Sequence, residues 1–238
     1  MTAKPSEFAF LADSIGKSFW GNPVLKAASL WARPGLITVL FGLNGSGKTT
    51  LIKAALGLLR ADRGMVQFHG CTFLAPRLHK LARLGLFYVP DRGLLSRRMR
   101  VEQQLELITA RFGTSRLREW LERLDVLDLL SRSTHQLSGG ERRRVELAMA
   151  AVRNPSCLII DEPLTEIEPI DRSLVGGVLR QMAASGCAVV VTGHDVADLM
   201  ALADEVIWMV AGTTHGLGTP DEAKAHHQFS REYLGTRR

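Results

Sequence analysis

Leu36-Ile37-Thr38-Val39-Leu40-Phe41-Gly42-Leu43-Asn44-Gly45-Ser46-Gly47-Lys48-Thr49-Thr50 is the stretch that decides the fold. Its second half fits G-x-x-x-x-G-K-[ST]. In that pattern glycines let backbone N–H groups curl around phosphate oxygens, the lysine reaches the β and γ phosphates, and the hydroxyl ligates Mg²⁺. The flanks suit this chemistry. Leu36 to Phe41 is a short apolar, β-branched run that reads as a buried strand, and Lys48 to Leu59 carries apolar residues at helical spacing. Phosphates held by Gly42, Asn44, Gly45, Ser46, Gly47, Lys48, Thr49 and Thr50 would rest on a helix N-terminus, where unpaired N–H groups and the dipole favour anions.

Outward from this centre the pattern runs β, then α/β, then helical, then α/β again. Phe8 to Ile15 and Val24 to Ala32 read as strands joined by the turn residues Trp20-Gly21-Asn22-Pro23, an antiparallel start. Met65 to Phe68 and Leu84 to Val89 are short strand candidates. Residues 100–153 show no convincing strand, but amphipathic helical stretches at Val101 to Phe112 and Leu117 to Leu130. Strands resume at Cys157 to Ile160, Ala188 to Thr192 and Glu205 to Val210, with helical segments between them, which implies a mostly parallel sheet with crossover helices. The expected fold is α/β: a P-loop core with a mostly parallel sheet, an N-terminal antiparallel β subdomain and an inserted α-helical subdomain near residues 92–153, all in one domain over residues 1–238. Gly176-Gly177 sits inside the helix candidate Asp171 to Ala184, at a cost of about 1 kcal/mol per glycine relative to alanine.

Bulk properties narrow the class further. The 238 residues are 46% hydrophobic and 23% charged, ordinary for a globular chain. No apolar run approaches the roughly 18 residues of a membrane span, and Met1 to Glu7 lacks the apolar region of a secretory signal, so a cytoplasmic location is expected. Cys71, Cys157 and Cys187 lack metal-like spacing and read as buried or neutral. The net charge is +6, with basic clusters at Arg92, Arg97, Arg98 and Arg100 and at Arg142, Arg143 and Arg144. No aromatic residues interleave them as a single-strand platform demands. A solvated face or a local anion site is expected, and no nucleic-acid partner.

A P-loop alone states only that phosphate is bound; two later motifs discriminate. Cys157-Leu158-Ile159-Ile160-Asp161-Glu162-Pro163 is an apolar strand ending in two carboxylates, the first suited to supporting Mg²⁺ and the second to polarising a water. Leu137-Ser138-Gly139-Gly140-Glu141 places a hydroxyl and unshielded N–H groups at the start of a helix expected from Glu141 to Arg153, a second anion-binding terminus. The three arginines after it oppose the helix dipole in the first turn, which is tolerable where a polyphosphate docks.

Leu137-Ser138-Gly139-Gly140-Glu141 resembles the LSGGQ signature of the ATP-binding cassette (ABC) ATPases, and the resemblance continues in order over nearly the whole chain. It implies ATP and Mg²⁺ as ligands and a head-to-tail dimer, with a second copy or a homologous ATPase subunit, in which Ser138, Gly139 and Gly140 close on nucleotide held by the other P-loop. It further implies integral membrane permease subunits as partners and a peripheral position on the inner face of the plasma membrane. In this resemblance Phe19 stacks on adenine, with Trp20 as the alternative and a strand-end core role as the plainer one. Glu162 is the general base or water-polarising group, Lys48 stabilises the transferring phosphoryl group, and His194 contacts the γ-phosphate unless it is a satisfied core histidine. Thr49, Asp91 and Asp161 would face Mg²⁺.

Two positions depart from the family pattern. Asp91 replaces the usual glutamine after Phe87-Tyr88-Val89-Pro90, which keeps a Mg²⁺ ligand but loses the amide donor. Thr165-Glu166-Ile167-Glu168-Pro169 replaces the customary small-Gly-Leu-Asp-Pro loop, putting a bulky charge at Glu166 where subunits approach. Leu94, Leu95, Met99 and Val101 are candidates for the surface meeting the membrane protein, or for packing of the helical block. Ser138 to Glu146, Pro169-Ile170-Asp171 and Tyr233-Leu234-Gly235 look most like the lipopolysaccharide-export ATPase and its relatives in branched-chain amino acid uptake. The rival reading is a catalytically weak, nucleotide-gated regulatory or assembly subunit. A DNA-repair ATPase would carry long coiled coils between P-loop and signature, and a metabolic kinase has no use for the signature.

Overall fold

The computed structural model describes residues 7–113, 116–165 and 167–235. Its centre is β3 (Ile37–Phe41), five buried residues in a row, flanked in parallel by β8 (Ala188–Gly193) and β9 (Glu205–Val210). The parallel set continues through β7 (Cys157–Ile160) to β6 (Leu86–Val89). On the other side of β9, β10 (Thr213–Gly218) pairs antiparallel and leads to β2 (Asn22–Ala32), β1 (Phe10–Phe19), β4 (Arg63–Phe68) and β5 (Cys71–Phe73), the last three pairings all antiparallel. Among the described residues this is one ten-stranded sheet in the order β5-β4-β1-β2-β10-β9-β3-β8-β7-β6. The expected division into an antiparallel N-terminal part and a mostly parallel core is borne out.

Strand residues alternate between two apolar layers, as the period of two requires. Ile37, Val39, Phe41, Leu158, Ile160, Val189 and Val191 face one core; Leu40, Cys157, Ile159, Ala188 and Val190 face the other. The second layer is covered by α1 (Lys48–Ala55) through Leu51, Ile52 and Ala55, and by Leu81 of α2 (Leu78–Arg83). The first is covered by α3 (Val101–Phe112), α4 (Leu117–Arg123), α5 (Gly139–Arg153), α6 (Pro169–Ala184) and α7 (Val196–Leu202), with α8 (Pro220–Ala225) and α9 (His227–Glu232) closing one side. No strand occurs among the described residues between α3 and α5, as the helical patterning predicts.

Several boundaries differ from the sequence reading, each for a local reason. Helix α1 stops at Ala55 rather than Leu59, because Gly57 takes φ 70° beside Pro76, where a Cβ would fall 1.9 Å from the Pro76 carbonyl oxygen. The stretch 117–130 breaks after Arg123, where Asp125 adopts φ 51°, and resumes as a 3-10 turn at Leu127–Leu129. Helix α5 begins at Gly139, two residues early, because Ser138 and Glu141 cap each other. Strand β1 runs on to Phe19. Leu95 and Val101 are buried in the core with Leu105, Leu121 and Leu124, so these two serve packing rather than a docking surface. Cys157 and Cys187 are buried and Cys71 is exposed. No helix among the described residues is long and apolar enough to cross a membrane.

Candidate nucleotide site

Parallel register brings the site together. Val89 pairs with Ile160, Ile160 with Val191, and Phe41 with Gly193, so the loops after β6, β7, β8 and β3 leave the sheet at one edge. That edge, the carboxyl end of a parallel sheet, is where open α/β folds bind ligands. Asp91, Asp161-Glu162, His194 and the loop 42–49 all emerge there. A cavity of about 400 Å³ is lined by residues 44–50 on one side and by Asp91, Glu162, Thr165 and His194 on the other.

The loop is shaped for an anion. Gly45 and Gly47 adopt φ 81° and 107°, conformations open to glycine, and α1 starts at Lys48 with no side-chain cap and no acidic residue in its first turn. Its first N–H groups are therefore left to a ligand. Gly42 must be glycine because a Cβ there would lie 2.6 Å from Ser46 Oγ and 2.9 Å from the Met209 carbonyl oxygen. Ser46 Oγ is itself buried without a hydrogen-bond partner, the kind of orphan that a substrate oxygen satisfies. Lys48 is 6% exposed, donates to Gly42 O at 2.7 Å and lies 3.8 Å from Glu162 Oε1. Burial lowers the pKa of its ammonium, while Glu162 and Asp161 pull the other way.

The two carboxylates differ in surroundings. Asp161 is wholly buried, and its oxygens accept from the hydroxyls of Thr49, at 3.0 Å, and Thr192. Burial raises its pKa, against those two hydrogen bonds. Thr192 also accepts the Glu162 N–H at 3.0 Å, so one hydroxyl ties both acids to β8. Glu162 faces the cavity, where Oε2 accepts from Thr165 Oγ1 at 3.0 Å and lies 3.0 Å from His194 Nδ1. His194 is exposed, not a core residue, and its ring meets the carboxylate expected to polarise water. Among the described residues no three His, Cys, Asp or Glu side chains converge as a metal site, but the oxygens of Thr49 and Asp161 meet at 3.0 Å with Asp91 lining the cavity, an all-oxygen set, and Asp161 has no ion-pair partner. Both features fit a hard divalent cation.

The other expected residues do not line this cavity. Ser138, Gly139 and Gly140 start α5 and do not line that cavity, and Gly139 lines a neighbouring pocket with Asp91, Arg92 and Thr165. Ser138 Oγ accepts the Glu141 N–H at 3.1 Å, and Glu141 Oε2 accepts the Ser138 N–H at 2.8 Å. This capping box leaves the Ser138 proton and the Gly139 N–H, on exposed residues, to an outside acceptor, while Gly140 is buried against Asp171. Phe19 is half-buried beneath Lys17 Nζ, 5.5 Å from its ring centroid, and Trp20 is 97% exposed beside it. Neither lines the cavity, whose wall on that side is Val24. Glu168 is exposed as the N-cap of α6; Glu166 lies outside the described residues. Arg143 and Arg144 are not a solvated face: Arg143 is buried against Glu146, and Arg144 donates to Asp125 Oδ2 at 2.7 Å. Sequence reasoning missed Thr165 and Thr192, whose one signal is a hydroxyl within three residues of Glu162 or His194.

Comparison with known proteins agrees with this geometry. The ABC transporter family model matches residues 25–165. A probable ABC transporter ATP-binding protein of Azorhizobium caulinodans is 32% identical over 97% of this chain and 84% of its own length. The lipopolysaccharide export system ATP-binding protein LptB of Escherichia coli K12 is 30% identical over 94% and 96%. Among solved structures, a nucleotide-free ATP-binding cassette from an ABC transporter superposes with a TM-score of 0.83 at 22% identity, covering 96% of each chain.

Proposed function

This chain belongs to the ABC transporter family as an ATP-binding subunit, and we propose that it energises an integral membrane permease through ATP-driven closure of a dimer. It is an ATPase, since hydrolysis of ATP is the activity of this family. The observation that carries the reading is the convergence of Lys48, Glu162 and His194 on one cavity, while the start of α5 lies outside it, with Gly139 in a neighbouring pocket beside Asp91, Arg92 and Thr165. Two half-sites on one chain call for a second copy or a homologous ATPase subunit to join them.

In this reading the triphosphate lies on the N–H groups of residues 45–49, with the Lys48 ammonium against the β and γ oxygens. Glu162 accepts a proton from the attacking water as its oxygen bonds to the γ-phosphorus. The bond from that phosphorus to the β–γ bridging oxygen breaks, releasing ADP and phosphate. His194, held by Glu162, steadies the γ-phosphate. Ser138, Gly139 and Gly140 of the other subunit donate to the same oxygens, an electrostatic contribution made once the dimer is closed. Thr49, Asp161 and Asp91 would hold Mg²⁺, whose charge neutralises the phosphates. Phe19 or Trp20 takes the adenine face. The chain acts as one ATP-binding domain with residues 92–153 as its helical insert, on the inner face of the plasma membrane. Similarity to lipopolysaccharide-export ATPases supports export of a lipopolysaccharide-type lipid over uptake of branched-chain amino acids.

Steady-state ATP hydrolysis by the purified chain, measured beside Glu162→Gln, tests the chemistry. Turnover in the parent that Glu162→Gln lowers about 10²-fold or more supports it. ATP binding without turnover in the parent, alone and with its permease, would sink it in favour of the regulatory reading.

A further inference from the structure

One buried cation lies outside the phosphate cavity yet touches the loops that form it. Arg143, on α5, is 6% exposed, and its guanidinium reaches from the helix into the core. Nη1 donates to Pro90 O at 3.4 Å, and Nη2 donates to Asp91 O at 3.3 Å and Glu162 O at 3.4 Å. Its charge is met one turn along α5 by Glu146 Oε2 at 2.8 Å, and Glu146 is 2% exposed. A surface role would not call for burying this pair. The acceptors are main-chain carbonyls of the two loops that carry Asp91 and Glu162.

Glu162 has a specific need for such a hold. Its φ is 51°, in the left-handed region that side chains disfavour, and such a residue persists only where its surroundings fix it from several sides. Thr192 fixes its N–H, and Thr165 and His194 fix its carboxylate. The carbonyl is held by the Thr165 N–H at 3.4 Å and by Arg143. Lysine would offer one point charge here, whereas the planar guanidinium serves three oxygens from one position.

We propose that Arg143 is a positioning residue that fixes the backbone of Glu162, and of Asp91 beside it, so that the Glu162 carboxylate stays aimed at the attacking water. The proposal rests on the role given to Glu162 above. It also links the half-sites: Ser138 to Gly140 start the helix that Arg143 leaves one turn later, so a ligand that shifts α5 moves the Glu162 carbonyl with it.

Arg143→Met alone would strand the Glu146 carboxylate in the core, so the test variant is Arg143→Met with Glu146→Leu, which removes both charges at similar volume. The control is Arg153→Met, which takes from the same helix an arginine bonded to Ala82 O at 2.8 Å and stacked on Phe112, away from both loops. Melting temperature, ATP affinity, KM and kcat are measured for each, with Glu162→Gln alongside. The expected result is a kcat lowered about tenfold to 10²-fold in the double variant, the loss that a misplacement of about 1 Å produces. ATP affinity and KM stay within about twofold, Arg143→Lys recovers part of kcat, and Arg153→Met changes the melting temperature alone. An unchanged kcat per folded chain in the double variant, or an equal loss in Arg153→Met, overturns the proposal. Parental turnover in Glu162→Gln overturns the role of Glu162 and the proposal with it, an outcome visible in that variant alone.

Discussion

Lys48 stands between opposing effects: burial disfavours its charge, and the carboxylates of Glu162 and Asp161 favour it. On the proposed reading, phosphate oxygens of ATP take over from Gly42 O as its partner, and the charge is then well compensated. Lys48→Ala is expected to weaken ATP binding and to lower turnover about 10²-fold or more, measured by nucleotide titration and hydrolysis. Glu146 makes a different prediction. Burial pushes its carboxyl up to about 7, against Arg143 and Arg142, with Asp91 adding to the rise. In the unfolded chain it titrates near about 4.3. Between those values the folded chain keeps a proton that the unfolded chain has released. Its contribution is therefore full below about pH 4.3 and is lost as pH rises toward 7, on the order of 3 kcal/mol in all. Melting curves of the parent minus those of Glu146→Gln should fall across that window; a flat difference would refute the shift.

At the scale of elements, α5 and α6 show opposite uses of glycine. A Cβ at Gly140 would fall 1.9 Å from Asp171 Oδ2 and 3.3 Å from Asp171 Cβ, so α5 meets the first turn of α6 through a bare backbone. Gly140→Ala is expected to destabilise by about 1–3 kcal/mol, the usual penalty of overpacking. Gly177, mid-helix in α6 and exposed, has nothing within 4 Å of where an added methyl would sit, so Gly177→Ala should raise stability by about 1 kcal/mol. Both are read from thermal melts, and a Gly177→Ala chain that melts lower would mean that the helix is not straight there. Elements with their own apolar signal were legible from sequence: β3, β7 and β8 are unbroken buried runs, and the P-loop is contiguous. Strand β10, Thr213–Gly218, was not, because it is mostly polar and glycine and owes its conformation to backbone pairing with β9 and β2. The contacts of Arg143 with the two loops and of Thr192 with Asp161 were hidden likewise, since those partners lie 19 to 53 residues away in the chain.

For the whole molecule, the arrangement is incomplete by itself. Among the described residues, the phosphate cavity has no donor opposite the P-loop other than Thr165, His194 and Arg92, and the N–H groups of Gly139 and Gly140 at the start of α5 lie outside that cavity. Leu43 and Ile170, 65% and 76% exposed, sit on the P-loop and at the start of α6, where a second copy would cover them. A two-fold dimer solves all three at once, because each copy gives what the other lacks. Complementation follows. Lys48→Ala inactivates the P-loop half of a site and leaves the signature intact; Ser138→Phe blocks the signature and leaves the P-loop intact. Each homodimer then has two broken sites, while a mixed dimer has one composed of two sound halves. Turnover should return when the two inactive proteins are mixed, and should rise with the square of protein concentration while dimers are scarce. If mixing restores nothing although both variants fold and Ser138→Phe still binds ATP, the two half-sites do not meet across a dimer, and the closure mechanism is wrong for this chain.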